Sequence, residues 1–234
     1  RANRNYGEIR QLFGHIRMDS SGQKRYNRKT YAGKEKPPEK PYFRQSMWDL
    51  SNAGYQSRMC NEWHRETLAH NSVCWNGQDI TSVTQGQCLT FTGSRFVGQK
   101  KDVYEGIDYQ RTIDITDNGV QDLFQVSGKP GIYDYVFHLE SGISLSCEDG
   151  DLGFRENGYQ HIVQTRKVLV DGLEAVLQAR IGGKEMKITI ALAQGQELYL
   201  LKTKDNPVNQ IRNTILIRGQ GEKQQFQFTL EAIN

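Results

Sequence analysis

Two cysteines and two histidines stand close together in CNEWHRETLAHNSVC, which runs from Cys60 to Cys74. On a helix, Cys60 and His64 would share one face, and so would His70 and Cys74. Two thiolates and two imidazoles suit a tetrahedral zinc ion, but structural zinc sites commonly pair cysteines two to four residues apart. That spacing is missing here, so Cys60, His64, His70 and Cys74 stand as a zinc alternative only. Two disulfide cysteines separated by two exposed histidines account for the same residues. With Cys88 and Cys147 the count is four, which suits an oxidising compartment and allows three pairings. The sequence does not choose among them.

Other chemistry is sparse. No Gly-x-Ser-x-Gly, P-loop or His-Glu-x-x-His occurs. Ser144 falls in an alternating stretch of the kind a strand shows. Glu148, Asp149 and Asp151 in CEDGD carry oxygens that calcium could use, without EF-hand spacing, and an acidic turn explains them as well. With no nucleophile or base arrangement, the expectation is a protein that is not an enzyme and needs no cofactor.

The elements that would position these residues change character along the chain. Tyr6, Ile9, Leu12, Phe13 and Ile16 recur every three or four residues and predict an amphipathic helix over residues 4–18. Residues 19–40 are basic, contain Gly and Pro, and have almost no aliphatic side chains, which predicts a solvated loop. Tyr26 and Tyr31 within it would allow stacking on nucleic acid, but exposure is the simpler account of such a charge run, and no nucleic-acid partner is expected. Phe43, Met47 and Leu50 share a second helical stripe, with Pro41 near its start and Gly54 placed to end it.

From about Ser72 the period shortens toward 2. Runs such as RTIDIT, AVLQARI, KITIAL and TILIRG are β-branched or aromatic and are punctuated by Gly, Asn and Asp. DNG at 117–119, ENG at 156–158 and IGGKE at 181–185 are turn signals. The gaps are too short for helical crossovers, so the sheet should be mainly antiparallel. The expected architecture is α+β: N-terminal amphipathic helices followed by a mainly antiparallel β-sheet domain. The boundary falls between a helical segment, 1–70, and a β-rich domain, 71–234.

At 234 residues the chain can bury a sizeable core, and its formal charge of +3 implies no general attraction to polyanions. No apolar run approaches the roughly 20 residues that span a bilayer. A start at Arg1 without Met reads as a processed or truncated product.

The order of several phrases resembles the minor pilins of type IV pili, of the PilW class, and more loosely the J-type pseudopilins of type II secretion. Asp49–Cys60 is similar to the phrase that closes the pilin helix, Leu145-Ser146-Cys147 to a Leu-x-Cys strand end, and Leu169–Gly182 and Ile211–Arg218 to two later strand phrases. The basic stretch 19–40 departs from the continuous helix of that family. The resemblance implies a pilin-like fold and a structural subunit that initiates or caps a pilus or secretion filament. It implies other minor pilins or pseudopilins and a tip adhesin as partners, packed against the face of Tyr6, Ile9, Leu12, Phe13 and Ile16. It further implies a membrane-anchoring hydrophobic helix ahead of Arg1, a place in the bacterial inner membrane, periplasm or filament tip, and a role for Cys60 in pinning the helix end to the sheet.

A second reading competes with it: a secreted or periplasmic β-sandwich that binds carbohydrate or another ligand, with Trp48, Trp63 and Trp75 available to stack on sugar rings. Core packing is the commoner fate of such side chains.

Overall fold

The structure, a computed structural model, describes residues 57–82, 85–139, 145–181 and 184–233. They form eleven strands: β1 (Val73–Trp75), β2 (Gln87–Phe91), β3 (Arg95–Tyr104), β4 (Ile107–Ile115), β5 (Gly119–Leu139), β6 (Cys147–Asp149), β7 (Ile162–Val168), β8 (Glu174–Ile181), β9 (Lys184–Ala191), β10 (Glu197–Lys204) and β11 (Ile211–Ala232). Every pairing among them is antiparallel. The local cause is the alternation. In β8, Ala175, Leu177, Ala179 and Ile181 are buried while Glu174, Val176, Gln178 and Arg180 are exposed, as a period of 2 requires.

Two strands organise the rest. β5 and β11 pair with each other from Leu139↔Asn213 to Gly119↔Glu231 and change their outer partners midway. The first half of β5 pairs with β4, and its second half with β1. β11 pairs first with β10 and later with β9. The changeover coincides with glycine: the β5–β11 register shifts between Gly221 and Lys223, where Gly221 has φ 136°. Opposite it, Gly128 has φ 143°, and a Cβ there would lie 2.0 Å from the Gly106 carbonyl oxygen. Only glycine fits such a place without strain.

The result is a sandwich of two sheets that share β5 and β11. One sheet runs β6–β7–β10–β11–β5–β1, and the other β2–β3–β4–β5–β11–β9–β8. Side chains from both meet in one core, which includes Tyr135, Phe137, Ile215 and Ile217 from the first sheet and Leu177, Ile188, Phe226 and Phe228 from the second. Phe137 packs on Phe228 with ring centroids 4.3 Å apart, and Tyr135 stacks on Phe226 at 5.5 Å. Inside this core Arg111 of β4 pairs with Asp122 of β5, with Tyr135 donating its hydroxyl to the same carboxylate at 3.0 Å. The Arg111 Nη1 also donates to the Asn71 carbonyl at 2.8 Å. A buried pair this well satisfied is costly to break from either side.

The outer face of the first sheet is covered as well. A strap, residues 57–72, and a loop, residues 150–161, bury Trp63, Leu68, Ala69, Leu152 and Tyr159 against Cys74, Val136, Tyr199, Leu201 and Leu216.

The expected α+β class is therefore corrected: the described residues are antiparallel β throughout, apart from single helical turns at Cys60–His64, Thr67–Ala69 and Tyr159–His161. The helices expected over 4–18 and 43–54, the face of Tyr6, Ile9, Leu12, Phe13 and Ile16, and the basic loop 19–40 lie outside the described residues. The helical segment drawn as far as residue 70 gives way for a physical reason. The Leu68 carbonyl meets His138 Nε2 of β5 at 2.9 Å, and Trp63 Nε1 donates to the Lys204 carbonyl of β10 at 3.1 Å. This segment thus spends its polar groups on the sheet and packs with it, and a boundary at residue 70 would cut through one packed unit. The pilin-like order of one helix domain and one sheet is not what these residues build.

Candidate functional site

Because side chains alternate along a strand, β7, β10 and β11 present two polar rows on opposite faces of the first sheet. On the covered face, charges alternate in sign from strand to strand. Lys167 of β7 donates to Glu197 of β10 at 2.5 Å, Glu197 lies opposite Arg218 of β11, and Arg218 grips Asp134 of β5 through two bonds of 2.7 Å. Tyr159 of the loop donates to Asp134 at 2.7 Å, Arg218 donates to the Leu152 carbonyl at 2.8 Å, and the Phe154 ring lies 5.2 Å from the guanidinium. The Lys167 bond, with one from the Tyr199 hydroxyl, holds the Glu197 carboxyl below its ordinary range. Burial works against the charge of Arg218, but the bonds to Asp134 outweigh it and raise the pKa. This face is sealed at Asp134 and half-open at Lys167 and Glu197, and its groups are spent on one another.

One turn of the pleat away, the inner face of the same strands extends past the core. A pocket of about 220 Å³ opens there, lined by Leu145, Cys147, Gln164, Arg166, Leu200, Leu201, Lys202, Asn213 and Thr214. Its polar side is set by register: Lys202 lies opposite both Gln164 and Asn213, and Arg166 lies opposite Leu200. Lys202 Nζ donates to Asn213 Oδ1. Arg166 Nη2 donates to the Cys147 carbonyl at 2.9 Å, and Nη1 lies 3.3 Å from the Asp149 carboxylate. Leu145 and Leu200 bring apolar surface to the lining and are only partly buried. Burial pushes the Cys147 thiol up, with Arg166 pulling the other way. The pocket offers amide, ammonium and guanidinium donors beside an apolar wall, a combination that recognises a polyhydroxylated or anionic molecule.

The residues expected to do chemistry are placed elsewhere. All four cysteines are free: Cys60 is buried within the strap and Cys74 beneath it, Cys88 is exposed on edge strand β2, and Cys147 borders the pocket. No two are bridged in this structure. Cys88 and Cys147 sit on β2 and β6, at opposite ends of the strand order, and Cys60 does not pin the segment by a disulfide. No group of three or more His, Cys, Asp or Glu among the described residues could hold a metal ion. Of the zinc alternative, His64 and His70 are instead occupied with backbone: His64 Nδ1 meets the Met59 carbonyl at 3.0 Å, and His70 Nε2 meets that of His64 at 3.1 Å. Trp63 is fully buried and donates to the Lys204 carbonyl at 3.1 Å, whereas Trp75 lies against Tyr104 with centroids 5.6 Å apart. Neither tryptophan lines the pocket, and Trp48 lies outside the described residues.

Gln164, Arg166, Lys202 and Asn213 escaped the sequence reading. The one available signal was IVQTRKV and LYLLKTK, strands with polar residues at both parities near their ends, which a strand half-buried on one face does not need.

No family model matches the chain, and neither does any curated protein. Among solved structures, the chain is similar to a galactose mutarotase related enzyme from Lactobacillus acidophilus, with 8% identity, 64% of this chain and 72% of that chain covered, and a TM-score of 0.37. It is also similar to a galactose mutarotase-like protein from Lactobacillus casei ATCC 334, with 7% identity, 74% and 87% covered, and a TM-score of 0.38. Likeness at this level transfers no residue and no activity. The antiparallel sandwich of the described residues overturns the resemblance to minor pilins and pseudopilins, together with the filament-assembly role drawn from it. The strand phrases that carried the resemblance are short alternating runs, which any antiparallel sheet contains. The expectation that the protein is not an enzyme rested only on the absence of familiar motifs, which excludes no activity, and it is withdrawn.

Proposed function

We propose that this β-sandwich binds carbohydrate, and that the pocket between β6, β7, β10 and β11 takes one sugar ring bearing a carboxylate or sulfate. The observation that carries the reading is the lining itself. Gln164, Arg166, Lys202 and Asn213 converge on one pocket beside the aliphatic surface of Leu145 and Leu200. Sugar rings present hydroxyls at their edges and C–H groups on their faces, and this lining has a counterpart for each. Two cations against the single carboxylate of Asp149 favour an acidic sugar over a neutral one. The volume of about 220 Å³ lies below the roughly 300–1,000 Å³ of sites for larger ligands, which suits a single ring. The sheet holds the donors rigidly, which lowers the ordering cost of binding.

The test is titration of the ¹⁵N-labelled protein with glucuronate and glucose, together with alkylation of Cys147 followed by peptide mapping. Glucuronate is expected to shift amides of β7, β10 and β11 and to slow Cys147 alkylation while leaving exposed Cys88 unaffected. Arg166→Gln combined with Lys202→Gln is expected to abolish both effects. If neither sugar shifts these amides, or if the shifts survive the double substitution, the proposal fails.

A further inference from the structure

Asp149 does not line the pocket but pairs with Arg166, which does. Its carboxylate reaches Arg166 Nη1 at 3.3 Å, yet its side chain is 97% exposed, against 39% for Arg166. The other arm of the guanidinium is anchored, since Nη2 donates to the Cys147 carbonyl at 2.9 Å on the neighbouring strand β6. Asp149↔Arg166 and Cys147↔Val168 are paired positions in β6–β7, so the backbone fixes the carboxylate beside the cation.

We propose that Asp149 is a built-in competitor for Arg166 and sets the charge selectivity of the pocket: an acidic sugar binds by displacing the Asp149 carboxylate from the guanidinium. The inference rests on the carbohydrate reading above and deepens it. An exposed pair of this kind is weak, so an incoming carboxylate or sulfate, which Arg can grip through two parallel bonds, can replace it. The displaced Asp149 side chain then passes into water at little cost. Arg166 meanwhile keeps its bond to Cys147 and need not reorganise. In the unliganded protein, Asp149 satisfies the guanidinium and lowers the attraction of the pocket for small stray anions. Asp149 thus acts on specificity through Arg166 and does not itself hold the sugar.

The experiment compares the wild type, Asp149→Asn, Arg166→Gln and the double variant, each titrated with glucuronate and with glucose at low salt and at about 0.5 M salt. Removing the competitor is expected to tighten glucuronate binding about 3- to 5-fold, the most that an exposed pair of this strength can confer. Glucose binding should stay unchanged. The gain should shrink at high salt, where the Debye length falls below that at physiological ionic strength, and it should vanish in the Arg166→Gln background. Equal glucuronate affinity in the wild type and Asp149→Asn would overturn the competitor role while leaving the pocket standing. Equal tightening of glucose would overturn it too, because the effect would then not act through charge. Absence of binding to both sugars in every variant would remove the carbohydrate reading and this inference with it. Both residues are exposed or half-exposed, so unchanged melting temperatures will show that each variant is folded.

Discussion

The two faces of the first sheet are built by the same strands, and they treat polar groups in opposite ways. On the covered face, Lys167, Glu197, Arg218 and Asp134 form a row of alternating charge that runs from half-exposed to fully buried, with Tyr159 closing its inner end. On the open face, Gln164, Arg166, Lys202 and Asn213 stand at the rim of a pocket, and the Arg166 pair with Asp149 is exposed. Burial decides what each set can do. A charge that has left water must be matched at once by its own structure, so Asp134 and Arg218 at the buried end of the row hold the loop to the sheet and have nothing to offer a ligand. Groups that keep contact with water can exchange partners cheaply, and for that reason binding belongs on the open face.

The comparison breaks most sharply at Asp134. Replacing it by Ala leaves Arg218 buried without its partner and is expected to cost about 3–5 kcal/mol, measured by urea unfolding. A loss below about 1 kcal/mol would mean that the covered row is not the structural half of the pair.

A second prediction concerns pH and the strap. His138 of β5 is buried, with Nε2 2.9 Å from the Leu68 carbonyl and Nδ1 2.7 Å from the Thr214 hydroxyl. The carbonyl can only accept, so Nε2 carries the proton and Nδ1 accepts from Thr214. Burial, with Arg212 adding to it, pushes the His138 pKa well below its ordinary value near 6.5. The unfolded chain therefore binds this proton first as the pH falls. Above about 6.5 both states are neutral and the full stability is present. Below it, stability should fall by at most about 1.4 kcal/mol per pH unit until the folded pKa is reached. His138→Gln should flatten that limb between pH 6.5 and 5.5 while lowering stability at neutral pH. An unchanged slope would show that His138 does not govern it. Trp63 lies edge-on to His138 at 6.4 Å, so its fluorescence offers the readout.

The smallest expected effect sharpens the same contrast. Arg166→Gln on the open face should change stability by about 0.5 kcal/mol or less, while removing most of the glucuronate binding. A large loss of stability would make Arg166 a structural residue like Arg218.

Parts of this arrangement are legible in the residues. The alternation in AVLQARI and KITIAL is the β8–β9 pair, which extends as far as Ile181↔Lys184. Asn118 and Gly119 mark the hairpin in which Ile115 pairs with Val120. CNEWHRETLAHNSVC misleads, because helical spacing and an edge-to-centre strap produce the same scatter of apolar residues over so short a stretch. Its histidines bond to carbonyls five and six residues earlier in the same segment, through turns that the spacing does not reveal.

Local pattern by itself determined that this protein alternates, turns at Gly and Asn, and pairs its strands antiparallel, since pleat and turn geometry act over a few residues. Tertiary structure alone decided that β5 and β11 are shared by two sheets and that Asp134 is sealed while Arg166 remains open. Both residues sit in alternating strands with a carboxylate–guanidinium partner, so their local sequence is alike in kind. What separates them is which face another segment covers, and coverage depends on contacts across the whole chain.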